Sequence, residues 1–146
     1  MLNQAGMNLI KTFEGCELIV YKDVGGVPTV GYGHVTNLPV GYGITQEQAD
    51  AWLIEDLTHA ENAVLAQISR PLSSNQFAAC VSLCFNIGAG NFKDSSVRKW
   101  CNAGRFDLAA NWFAPWCKVH GVEVEGLLNR RLAEAELFRT PDGQES

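Results

Sequence analysis

The sequence has no long hydrophobic run, no paired-cysteine motif and few positive charges in its first half, and each absence removes a class of function. A long uncharged stretch, residues 71–92, is broken by Ser73, Ser74, Asn75, Gln76, Asn86 and glycines. A membrane span needs roughly 20 continuous apolar residues, so a buried helix is the better reading. The opening MLNQAGMNLIKTFEG has neither a basic start nor an apolar stretch behind it, which predicts no signal peptide and no membrane anchor. The five cysteines (Cys16, Cys80, Cys84, Cys101, Cys117) are odd in number and irregular in spacing. Without a secretory signal they read as reduced, buried thiols. Cys80 and Cys84 lie one helical turn apart, yet no CxxC and no nearby His completes a ligand set, so no metal is expected. Residues 1–69 carry two lysines against eight acids, whereas residues 70–146 carry nine bases against eight acids. The net charge of −5 thus arises in the first half, and no basic stripe exists to bind nucleic acid. An acidic half would also repel a polyanionic surface.

What is present is the composition of a globular chain, 47% hydrophobic and 18% charged. The length predicts a single domain, residues 1–146, able to bury about 68–70% of its unfolded surface. Residues 3–14 have amphipathic helical spacing, with Leu9, Ile10 and Phe13 on one face and Gly15 as the stop. From Leu18 to Val35 the signals change to strands. LIVY is β-prone, DVGG is a turn, and VPTVGYG is a second strand whose Pro28 favours an edge. NLPVGYG (37–43) is a further loop or strand piece. Residues 44–68 read as one long helix that opens on the capping-box pair Thr45 and Gln48 and turns Ala49, Trp52, Leu53, Leu57, Ala60, Val64 and Ile68 inward. SNQFAACVSLCFNIG is apolar nearly all round, which predicts a central helix ending at Gly88. Shorter helices are expected at about 95–103, 106–117 and 127–138, the last with Arg130, Arg131, Glu134 and Glu136 on exposed faces. The tail TPDGQES should fray. The fold class is α+β: a small N-terminal lobe of antiparallel strands (about 14–45), a long connecting helix and a helical C-terminal lobe (about 70–139). A cleft between lobes is the expected ligand site.

The stretch FEGCELIVYKDVGGVPTVGYGH, residues 13–34, holds the candidate chemistry. Glycoside hydrolysis generally uses two carboxyl groups flanking the scissile bond, one protonated and one ionised. Glu14 at a helix end and Asp23 in the following turn fall on different elements, so a cleft could separate them. The helix C-terminus carries partial negative charge, which suits a carboxyl that has to hold a proton. Thr29 offers a hydroxyl that could hold a water for Asp23 to activate, and the glycines keep bulky side chains out of a sugar's way. Taken singly, each residue also has a plain structural explanation. A Glu before a C-cap glycine is usually solvated, an Asp before Val-Gly-Gly is a turn former, and His34 could be an ordinary half-buried imidazole.

The pattern E14-x8-D23-x5-T29-x-G31-Y32-G33-H34 closely resembles that of the phage-type lysozymes, glycoside hydrolase family twenty-four, endolysins that cut bacterial peptidoglycan. Further matches follow in order: EDL at 55–57, FNIGAGNF at 85–92 with Ser95 and Ser96 behind it, and GLLNRRLAEAELF at 126–138. The likeness covers about residues 7–139. It implies a lysozyme-like fold and an N-acetylmuramidase that hydrolyses the β-1,4 bond between N-acetylmuramic acid and N-acetylglucosamine. Glu14 would be the general acid, Asp23 the residue that activates or orients water, and Thr29 its hydroxyl partner. Arg130 matches an arginine near the acid. His34 and Asp56 match a structural pair tying the small lobe to the long helix. Val35, Phe85, Asn86 and Ser95 match positions beside the sugar chain. Two departures stand out: the acidic balance, where many relatives are basic, and the lack of a signal-anchor.

The resemblance implies no metal and no organic cofactor. The partner is peptidoglycan, the chain is expected to be a monomer, and access to the wall is expected to depend on a holin. The enzyme would wait in the host cytoplasm until lysis releases it to the periplasm and cell wall. A lytic transglycosylase is the nearest alternative, but it needs the Glu and has no use for a water-holding Asp–Thr pair. A non-catalytic wall-binding module would have no reason to keep acid, carboxylate and hydroxyl together, and a purely structural phage protein fits least.

Overall fold

The computed structural model describes residues 2–145, which form an α+β chain in two compact units. One unit is Ile10–His59; the other comprises the remaining described residues, up to Leu9 and from Ala60 onward. The division falls inside helices α1 (Gln4–Glu14) and α2 (Gln46–Gln67).

The first unit contains a three-stranded antiparallel sheet in the order β1 (Glu17–Lys22), β2 (Pro28–Gly31), β3 (His34–Val35). Residues 41–44 run along the other side of β1, where Val20 N–H donates to Tyr42 O (2.9 Å) and Ile44 N–H to Leu18 O (2.8 Å). Pro28 therefore lies in the middle strand and not on an edge. It is tolerated there as the first residue of the strand, where its missing N–H interrupts no ladder. The unit extends beyond residues 14–45 because the sheet packs on the first half of α2. A Cβ built on Gly31 would lie 3.3 Å from that of Ala49, and Ala49, Leu53 and Leu57 of that helix are all buried. Gln48 N–H donates to Thr45 Oγ1 (3.1 Å), which supplies one half of the capping box expected at the start of α2.

The second unit is helical, built on α3 (Ser74–Ile87), α4 (Ala89–Lys93), α5 (Ser96–Asn102), α6 (Phe106–Ala110) and α7 (Glu125–Arg139), with a small hairpin of β4 (Lys118–Val119) and β5 (Val122–Glu123). Ser73 and Gln76 cap α3 reciprocally, and Gly88, at φ +92°, ends it. The helix expected over 106–117 stops at Ala110 and could not have run through Pro115, which has no N–H to donate and whose ring would crowd the Asn111 carbonyl. The hairpin follows from His120 (φ +49°) and Gly121 (φ +79°), a pair of left-handed residues that makes the tight turn antiparallel strands favour.

Two expectations about this unit are overturned. Arg130, Arg131 and Glu134 are buried, at 3%, 0% and 0% exposure, instead of lying on solvated faces. They can be, because the one carboxylate pairs with both guanidinium groups and a hydroxyl adds a further hydrogen bond. Arg130 Nε lies 3.2 Å from Glu134 Oε2, Arg131 Nε lies 2.7 Å from Glu134 Oε1, and Ser82 Oγ donates to Glu134 Oε2. The tail also does not fray within the described residues. Asp142 accepts hydrogen bonds from Ser74 N–H and Asn75 N–H (both 2.9 Å), the orphan donors at the start of α3. Buried Asn75 returns a bond to Thr140 O (3.0 Å) and accepts one from Asn3 Nδ2 (2.9 Å), which ties both ends of the chain to α3.

Candidate active site

Glu14 closes α1, and Gly15, at φ +70°, turns the chain away from the helix. A Cβ on Gly33 would stand 3.3 Å from Glu14 Oε1, closer than most side-chain contacts. Glycine at that position (φ +76°) serves both the turn into β3 and the space beside the carboxyl. An open cavity of about 420 Å³ lies against Glu14, with Cys16, Glu17 and Tyr21 on its walls.

Asp23 is exposed, yet the turn between β1 and β2 fixes it firmly. Its Oδ1 accepts from Gly25 N–H (2.8 Å) and Val27 N–H (2.9 Å), while its backbone N–H donates to Val27 O (3.0 Å). Oδ2 takes no part in these bonds. Thr29 Oγ1 donates to the same Val27 carbonyl (2.9 Å), so Asp23 and Thr29 converge on one peptide group. With its proton committed, the Thr29 hydroxyl presents only lone pairs to anything beyond. The sheet register then sets Tyr21, Thr29 and Val35 directly opposite one another across the three strands. Paired residues share a face, so the buried hydroxyl has the exposed Tyr21 and Val35 as its neighbours.

His34 Nδ1 lies 2.8 Å from Asp56 Oδ2, and its ring stacks on Trp52 at 4.4 Å between centroids with 8° between planes. The pair thus joins β3 to α2 within one unit. Phe85 and Asn86, half-buried and exposed, lie at the C-terminal end of α3 in the helical unit. Arg130 is also there, donating to Ser82 O (3.2 Å) and Glu134. Ser95, expected beside a sugar, also serves as a helix cap. It is 4% exposed and caps α5, its hydroxyl donating to Phe92 O (2.7 Å) and accepting from Arg98 N–H (3.2 Å). The cap takes the proton and one lone pair, which leaves a single lone pair on a hydroxyl that is almost wholly buried.

Residues 11–134 match the model of the family described as Phage lysozyme. The chain belongs to the phage lysozyme family. It is 41% identical to the endolysin of Acyrthosiphon pisum secondary endosymbiont phage 1, over 95% of this chain and 98% of that protein. Its structure resembles the muramidase domain of SpmX from Asticaccaulis excentricus, with a TM-score of 0.90 and 38% identity over 97% of this chain and 99% of that one. It also resembles a P22 lysozyme mutant, with a TM-score of 0.89 and 34% identity over 96% and 99% of the two chains. The fold is lysozyme-like, and the chain is a phage endolysin and a muramidase-type enzyme.

For this phage lysozyme, sequence reasoning passed over Tyr21. The signal lay in the turn: pairing LIVYK with PTVG across DVGGV puts Tyr21 opposite Thr29. Among the described residues no three His, Cys, Asp or Glu side chains group as a metal site, and no helix is long and apolar enough to cross a membrane.

Proposed function

We propose that this endolysin hydrolyses the β-1,4 bond between N-acetylmuramic acid and N-acetylglucosamine in peptidoglycan, by a single displacement that inverts the anomeric centre. Glu14 protonates the leaving oxygen. A water donates one proton to Asp23 Oδ2 and the other to Thr29 Oγ1, which leaves its lone pair for the anomeric carbon. As the new carbon–oxygen bond forms, Asp23 takes the water's proton. The observation that supports this reading best is the shared anchorage of Asp23 and Thr29 on Val27 O, in the same unit as Glu14. Oδ1 is held by two backbone donors, so Oδ2 keeps a fixed direction without a side-chain partner.

Val35, Phe85 and Asn86 are the side chains offered to the glycan, and the role of Arg130 rests on the resemblance. On the same reading the enzyme works as a monomer, is stored in the host cytoplasm and reaches the wall when a holin opens the way, releasing phage progeny. The test is product mass from purified peptidoglycan. Hydrolysis gives reducing muramic acid ends, one water heavier than the anhydro ends of a transglycosylase. Anhydro products would overturn the role given to Asp23 and Thr29.

A further inference from the structure

The wall beside Glu14 is a short loop, Tyr32 and Gly33, that joins β2 to β3. Gly33 stands so close to Glu14 Oε1 that a displacement of the loop changes the space around the acid. The sheet alone holds this loop weakly, because β3 is an edge strand of two residues and so short a pairing contributes little by itself. The rest of the support comes from α2. On one side of the loop, Gln46 Nε2 donates to Tyr32 Oη (3.1 Å). On the other, the His34 imidazole meets Asp56 at its edge and Trp52 on its face. Gln46, Trp52 and Asp56 share one side of α2, so a single stripe of the helix grips the loop at both ends.

Asp56 and Trp52 constrain the imidazole in different ways. The contact of Nδ1 with Asp56 Oδ2 (2.8 Å) fixes one atom and leaves the ring free to swing about it. The stack on Trp52, with 8° between planes, fixes the plane. Together they leave His34, and Gly33 before it, little freedom. Helical periodicity asks only for an apolar side chain at position 52, and an aliphatic one would satisfy it. Trp52 is instead a half-buried indole, and its flat face is what an aliphatic side chain lacks.

We propose that Trp52 is a positioning residue for the acid: by holding the plane of His34 it keeps the Gly33 peptide beside Glu14 and so fixes the direction of the carboxyl. This role rests on the reading of Glu14 as the general acid. It lies wholly within the unit Ile10–His59 and acts on turnover, not on substrate binding. A misplacement of about 1 Å at a reacting group can cost about 10²-fold, so loss of one of two constraints should cost about tenfold.

The experiment compares kcat and KM on purified peptidoglycan for the full chain and for Trp52→Leu, Trp52→Phe and Leu57→Val, at one temperature below every unfolding midpoint. Trp52→Leu keeps an apolar side chain without a flat face. Its kcat should fall about tenfold with KM within a few-fold, and Trp52→Phe should recover most of the loss. Leu57→Val, a change in the buried face of the same helix, should lower the thermal midpoint and keep kcat. Added to Glu14→Gln, Trp52→Leu should cost nothing further, since a residue that acts only through the acid then has nothing to position. An unchanged kcat in Trp52→Leu, no recovery in Trp52→Phe, an equal loss in Leu57→Val, or an additive loss on Glu14→Gln would overturn the positioning role and leave Glu14 as the acid. Full activity in Glu14→Gln would instead overturn the acid, and the role of Trp52 with it.

Discussion

In the unit Ile10–His59, Asp23 is exposed and held by two backbone N–H groups, whereas in the helical unit Glu134 is fully buried between Arg130 and Arg131. Burial pushes the Glu134 carboxyl above its ordinary range against the pull of both guanidinium groups, and burial likewise lowers the Arg131 guanidinium. The difference separates two uses of charge. Asp23, with both backbone donors on Oδ1, keeps Oδ2 available for chemistry. A carboxylate enclosed by cations has both oxygens engaged and contributes to holding the fold.

The largest effect expected from that contrast is on turnover. Glu14→Gln should retain the fold, with little change in thermal midpoint, and lose about 10²–10⁴-fold in lytic activity, because an amide cannot protonate a leaving oxygen. Turbidity loss of a cell-wall suspension checks it, and activity within a few-fold of the parent would break the comparison. Glu134→Ala tests the other side. Removing the shared partner of two buried guanidinium groups should cost about 3–5 kcal/mol in denaturant unfolding. A loss below 1 kcal/mol would show that the cluster is not a stabilising element.

The smallest effect concerns Asp142, a carboxylate of the helical unit held by two backbone N–H groups, one on each oxygen. Hydrogen bonds from Asn75 N–H and Ser74 N–H hold it below the usual carboxylate range. A lowered folded pKa contributes stability above the unfolded value, about 3.9, and that contribution is lost as pH falls through the folded one. Asp142→Ala should therefore melt below the parent at pH 6, and the gap should close on acidification below about pH 4. A gap independent of pH would assign the effect to packing of the tail.

How far the sequence foretold this molecule follows from the range of the interactions involved. The inward face of α2, from Ala49 to Val64, was legible because helical periodicity is local, as was the stop of α3 at Gly88. The candidate acid, carboxylate and hydroxyl were legible as a spacing. Their convergence on Val27 O was not, since it depends on how a turn closes. Arg131 and Glu134 misled because charge normally marks a solvated face, and only the neighbouring Ser82 on α3 reveals the buried pairing. The cap made by Ser95 was not legible, because a cap and a sugar ligand use the same hydroxyl. The tail looked disordered by composition, yet its Asp142 supplies the acceptors that the first turn of α3 lacks.

The measurement that tests the central claim most directly is the anomeric configuration of the first product, read by proton NMR before mutarotation. A water directed by Asp23 Oδ2 and Thr29 Oγ1 attacks the face opposite the leaving oxygen, so the β-linked glycan should release the α-anomer first. Initial release of the β-anomer would contradict the account and make Asp23 a nucleophile.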